Sequence, residues 1–243
     1  FRLGDGLKFS GDNLYTDIRN NLKKKCGAVC PMNISSQKVD FDFFIPDPWS
    51  YEKITGEPSL KLINESIKQG VNDNSGGGVN LINKIRLIIG LFLNLNIKDL
   101  KSLFLFFKKI KGLNYRKALF LDYILILLQK SLTRKNKTEF TSIFLNGGAH
   151  IQHHYFLNSK VIKNKNTLRN PSWYMEDKID PIAEMLIFYN KILKSYEKDG
   201  YEIILMTGLQ QVPYTSVNYY YRLRNHYKFF NFLGIKIKNI LPR

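Results

Sequence analysis

The stretch Phe140-Thr-Ser-Ile-Phe-Leu-Asn-Gly-Gly-Ala-His-Ile-Gln-His-His-Tyr155 decides the fold. Residues 140–145 are apolar or β-branched apart from Ser142, with no polar alternation, which is how a buried parallel strand reads. The run then breaks at Asn146, Gly147 and Gly148. Downstream, Asp180 followed by Pro181 is a helix start, because an Asp side chain accepts first-turn N–H groups and Pro tolerates the first helical position. That helix is expected to reach about residue 197, Gly200 ends it, and residues 202–206 form a second short apolar run before Thr207 and Gly208. Strand, helical crossover, strand is a βαβ unit, so both strands are expected to lie parallel in one sheet. In such sheets ligands bind beyond the carboxyl ends of the strands, which points to the turns at 146–155 and 207–214.

Working outward, Leu14, Ile18 and Leu22 recur at helical spacing, so residues 10–25 read as an amphipathic helix. Residues 26–34 are small and mostly apolar, and residues 41–45 read as a short strand running into Pro46, Asp47 and Pro48. Glycines 76–78, behind Asn72, Asp73, Asn74 and Ser75, mark a flexible break. From there to Leu132 the pattern is helical, with helices expected near 79–95, 97–110 and 115–132. The organisation expected is therefore an N-terminal part of an α/β domain over 1–78, an inserted helical lobe over 79–132 and the C-terminal part of the α/β domain over 133–243.

Composition sets outer bounds. Of the 243 residues 44% are hydrophobic and 14% aromatic, too rich for a coreless disordered chain. Cys26 and Cys30, spaced C-x3-C with no second pair, make neither a four-cysteine zinc site nor a disulfide framework, and are expected to be ordinary buried thiols. The net charge of +17 suits an acidic partner, yet it comes with a Lys-, Asn-, Ile- and Phe-rich composition and is scattered in short basic runs. No nucleic-acid motif accompanies it, so nucleic acid is not the expected partner. The apolar stretches 85–95 and 118–128 fall short of about 18 uninterrupted residues and read as buried or interfacial helices without a transmembrane span. Phe1 to Ser10 lacks the apolar stretch of a signal peptide, and a cytoplasmic location is expected.

Chemistry concentrates in the histidines. His150, His153 and His154, three of the four in the chain, stand within five residues directly after the first strand. If a helix starts there, His150 and His154 share a face and can bind one ion or anion. The alternative is imidazoles that fill space and bond backbone carbonyls at a strand-to-loop turn. Asn146, Gln210 and Gln211 offer amides that orient a ligand without serving as bases. Arg222 and Arg224, interleaved with tyrosines, fall on one side of an extended segment and can face an anion.

Several segments in order resemble the sulfatase and type I phosphodiesterase branch of the alkaline-phosphatase superfamily: residues 26–33, 44–49, 146–155, 180–196 with 202–211, and 221–225 with 232–235. The resemblance implies a mostly parallel central sheet flanked by helices, alkaline-phosphatase-like, with metal ions at the strand ends acting on a phosphate or sulfate ester. The chain departs from the family pattern in two places. Where the family carries Asp and His four apart, this chain has His150 and His154, and where it has an Asp-His pair after its last strand, this chain has Leu209, Gln210 and Gln211. No nucleophile segment is identifiable.

Two functions follow as expectations. One is a metal-assisted hydrolase or transferase of phosphate or sulfate esters, with a divalent ion, zinc foremost, on His150, His154 and Asp47. His153, Asn146, Gln210, Gln211, Arg222 and Arg224 would contact a phosphorylated or sulfated small molecule or glycan. The other keeps the fold without catalysis, as a binding protein for an acidic glycan or nucleotide.

Overall fold

The computed structural model describes residues 13–50, 52–72, 79–110, 112–161, 179–207, 223 and 225–236. Within them the chain is an α/β protein whose small parallel sheet is flanked by helices. Helix α1 (Leu14–Thr16) is capped by the Asn13 side chain and continues as a π-helical turn over Asp17–Asn21. Strand β1 (Cys26–Val29) follows, buried at all four positions. Strand β2 (Phe43–Ile45) pairs parallel to β1, with Gly27 opposite Phe43 and Val29 opposite Ile45. Four helices come next: α2 (Ser59–Asn72), α3 (Leu81–Asn94), α4 (Ile97–Lys108) and α5 (Arg116–Asn136). Strand β3 (Phe140–Ile143) pairs with the other edge of β1, also parallel, giving the order β2-β1-β3. Helix α6 (Gly147–Tyr155) leaves the end of β3, and α7 (Pro181–Lys198) and α8 (His226–Phe232) complete the described elements.

The central helix is α5, and its residues face two ways. Ile124, Leu125, Leu128 and Leu132 enter one apolar cluster with Val29, Phe43 and Ile45 of the sheet and with residues of α2, α3 and α4. Leu119 and Ile126 enter a second cluster, with Ile151 and Tyr155 of α6 and Met185 and Phe188 of α7. Each fully buried Leu or Ile contributes about 1.5–3 kcal/mol, so this double-faced helix is the main structural tie between the sheet and the site-bearing α6. Helices α2 and α3 run antiparallel: Asn94 donates to Ser59 at 2.8 Å at one end, and Asn83 donates to Gln69 at 2.8 Å at the other. Among the described residues no helix is long and apolar enough to cross a membrane.

The expected strands at 41–45 and 140–145 are present and parallel, although β3 is an edge strand and only half-buried. The three expected helices between 79 and 132 are α3, α4 and α5, and Asp180 caps α7 as anticipated, accepting from Ile182 and Ala183. The break at glycines 76–78 lies outside the described residues. One expectation is overturned: residues 202–206 form no strand, and Ile204, Leu205 and Met206 are exposed. After Gly200 takes a left-handed φ of 84°, the Tyr201 N–H returns to the Tyr196 carbonyl at 3.1 Å. The Tyr201 ring packs edge-on against Tyr196, so the chain is tied to the end of α7 and does not reach β3. An apolar run becomes a strand only when a neighbour supplies the ladder, and its composition carries no information about that neighbour.

Candidate functional site at the carboxyl edge of the sheet

All three strands point the same way, so Cys30, Asp47 and the start of α6 lie along one edge of the sheet. Helix α6 begins without a capping side chain from Asn146, which is exposed, and its amino end is held from elsewhere. The Asp122 carboxylate, buried in the middle of α5, accepts the Gly147 N–H at 3.0 and 3.3 Å and the Tyr189 hydroxyl at 2.5 Å. Tyr189 in turn accepts a hydrogen bond from the Gly148 backbone. The first two N–H groups of α6 are thus satisfied internally by α5 and α7, and its helix dipole faces a protein carboxylate.

The same contact explains the Gly-Gly pair. A Cβ at Gly147 would stand 2.5 Å from an Asp122 oxygen and 2.9 Å from the Ala118 carbonyl, so no side chain fits. Burial drives the Asp122 carboxyl up to about 7, against the opposing pull of the Tyr189 and Gly147 hydrogen bonds. Asp122, Gly147 and Tyr189 were not legible as a site, although an Asp inside the apolar run 118–128 of α5 was the available signal.

The His150 N–H bonds the Asn146 carbonyl at 3.0 Å, so His150 stands one turn into α6 and His154 one turn further. Their rings meet edge to face with centroids 4.7 Å apart. The adjacent face of the helix is anchored by Ile151, fully buried, and by Tyr155, whose ring packs edge-on against Tyr115 at 5.7 Å. Partial desolvation lowers the pKa of His150, and His153 adds to it. His154 is lowered by desolvation and by both neighbouring histidines. Both imidazoles are therefore biased toward the neutral form that ligates metals. His150 and His153 are exposed and His154 is half-buried.

Asp47 stands at the same sheet edge but not in the same cluster. It follows β2, accepts the Trp49 N–H at 2.8 Å, and has its pKa raised by burial. Strand β1 stands between β2, which leads to Asp47, and β3, which leads to the histidines. Cys30, at the end of β1, occupies the interval: its thiol contacts the Pro46 carbonyl at 3.8 Å, and burial first, then the charges of Asp47 and Asp122, push its pKa up. Cys26 is likewise a free, buried thiol. Among the described residues no group of three or more His, Cys, Asp or Glu side chains gathers as a metal centre. Gln210, Gln211, Arg222 and Arg224 lie outside the described residues, as does the turn at 208–214. Compared with protein-family models, curated proteins and solved structures, the chain matches none.

Proposed function

We propose that the carboxyl edge of the sheet binds a phosphate or sulfate ester of a small molecule or glycan, and that with a divalent ion it hydrolyses or transfers that ester. The observation that carries this reading is the His150–His154 pair, two adjacent imidazoles biased toward neutrality on a helix leaving the carboxyl end of a parallel strand. It accords with the sequence resemblance to the sulfatase and phosphodiesterase branch of the alkaline-phosphatase superfamily. Zinc is the first choice of ion for imidazole donors, and a bound ion would act as Lewis acid and lower the pKa of water.

His150 and His154 supply two donors. The third donor is Asp47 or a residue outside those described. Asp122 and Tyr189 act on neither ion nor ester; they hold the amino end of α6 so that the imidazoles keep a fixed position. Arg222 and Arg224 are the proposed contacts to the ester oxyanion, with His153, Asn146, Gln210 and Gln211 at its periphery. The second reading, an acidic-glycan or nucleotide binder without turnover, is favoured by the amides Gln210 and Gln211 standing where the family places Asp and His.

The test is elemental analysis of the purified chain, then zinc titration followed by melting temperature and by hydrolysis of aryl phosphate and aryl sulfate. Zinc-dependent stabilisation and turnover, both lost in His150→Ala and His154→Ala, are expected. Anion binding without turnover selects the binding reading, and no response to zinc or to either ester ends both.

A further inference from the structure

Helices α3 and α4 carry a run of exposed apolar side chains. On α3 the inner face is Asn83, Leu87, Gly90, Leu91 and Asn94, which pack on α2 and the core. At about 100° per residue, Ile82, Ile85, Ile88, Ile89, Phe92 and Leu93 fill a continuous outward arc of about 140°. All six are exposed, Phe92 at 66%. The cations of the helix sit at the margins of that arc, Lys84 on one side and, on the other, Arg86, which pairs with Glu65 of α2 at 3.3 Å. Across the α3–α4 junction the apolar surface continues, through an open groove lined by Phe92, Leu95, Ile97 and Leu100 with Lys98 at its side. Outward on α4, Ile97 (84% exposed), Phe104, Leu105 and Phe107 alternate with Lys98, Lys101 and Lys108. Lys108 lies over the Phe104 ring at 4.6 Å. The one acid of the two helices, Asp99, is turned back toward Asn96 and Arg134.

We propose that this face is a membrane-surface docking site, which lays α3 and α4 in the interface of a bilayer containing anionic lipid. Apolar side chains flanked by Lys84 on α3 and interleaved with lysines on α4 allow the Lys stems to run along the acyl boundary while their charges meet lipid phosphates. The charge is complementary: Lys84, Lys98, Lys101 and Lys108 of the two helices are exposed, and the whole chain carries +17. At 14 and 12 residues, α3 and α4 are about 21 and 18 Å long, too short to span about 30 Å of hydrocarbon, so the contact is in-plane.

Co-sedimentation of the full chain with vesicles of phosphatidylcholine alone and of phosphatidylcholine mixed with phosphatidylserine tests this. Binding to the mixed vesicles, weakened by salt, is expected. Ile85→Asp with Phe92→Asp should lower it about tenfold or more while circular dichroism stays unchanged, since both side chains face solvent. Lys84→Glu with Lys101→Glu should lower binding to the mixed vesicles alone. Equal sedimentation with both lipids overturns the proposal. So does undiminished binding of the Ile85→Asp, Phe92→Asp chain, which would leave only adsorption by scattered lysines. A vesicle-indifferent dimer that the same variant makes monomeric also overturns it, and assigns the face to a second copy.

Discussion

The Asp122 carboxylate of α5 accepts the Gly147 N–H at 3.0 Å, across 25 residues of sequence, and by that contact fixes the start of the histidine helix α6. Tyr189 of α7 closes the arrangement from the other side. A buried carboxylate used this way is costly to ionise and strongly directional, and both properties can be measured.

The first is a pH dependence. Burial raises the Asp122 pKa to about 7 from the ordinary 3.8. Between those values the folded state holds a proton that the unfolded chain has released, so this group lowers stability as pH rises through the window, by at most about 1.4 kcal/mol per pH unit. Above the folded value the effect is level. Asp122→Asn, isosteric and unable to ionise, should remove that slope in urea melts taken across the window. Parallel curves for the variant and the parent would show that Asp122 is not the titrating group.

Removing the anchor outright should be severe. Asp122→Ala leaves the Gly147 N–H and the Tyr189 hydroxyl without their buried partner and opens a small cavity, a loss of about 2–4 kcal/mol. Gly147→Ala, whose Cβ would stand 2.5 Å from the same carboxylate, should cost about 1–3 kcal/mol. Both are checked by chemical denaturation, and Tyr189→Phe, which deletes one hydroxyl, should cost less than either.

The histidines push stability the other way. His150 and His154 titrate below the ordinary 6.5 in the folded chain, so as pH falls through that region the unfolded state takes up protons that the fold resists. Their contribution is present above about 6.5 and is lost as pH drops through the folded values. In the Asp122→Asn background this acid-side loss should stand alone, and His150→Ala with His154→Ala should flatten it. NMR titration of the imidazoles gives the direct reading: folded values at or above 6.5 would contradict the geometry.

The link from α5 to α7 is a second measurable tie. Arg116 donates to Glu184 at 2.7 and 2.9 Å, and the Tyr115 hydroxyl donates to the same carboxylate at 2.6 Å. These partners hold the Glu184 carboxyl below its usual range despite its partial burial. Since the pair is only partly buried, a double-mutant cycle of Arg116→Ala with Glu184→Ala should return about 1 kcal/mol of coupling. A coupling indistinguishable from zero would mean that this ion pair adds nothing to the hold of α5 on α7.

What the sequence determined by itself was the local part. The spacing of Ile and Leu gave α3, α4 and α5, Asp180 with Pro181 gave the start of α7, and the runs at 41–45 and 140–145 gave two strands that do lie parallel, at 43–45 and 140–143. These signals are local because helix periodicity, capping and strand burial act over a few residues. It also placed His150 and His154 on a common face, since their spacing of four is a property of the helix. Tertiary structure decided the rest. Residues 26–29 became the central strand because two neighbours flank them, while the equally apolar 202–206 found no ladder and stayed outside the sheet. The order β2-β1-β3 put β1 between the strand that leads to Asp47 and the one that leads to the histidines, and only chain packing brought Asp122 and Tyr189 to Gly147. Strand pairing and buried hydrogen bonds depend on partners far along the chain, and a partner's identity is not written in the segment that needs it.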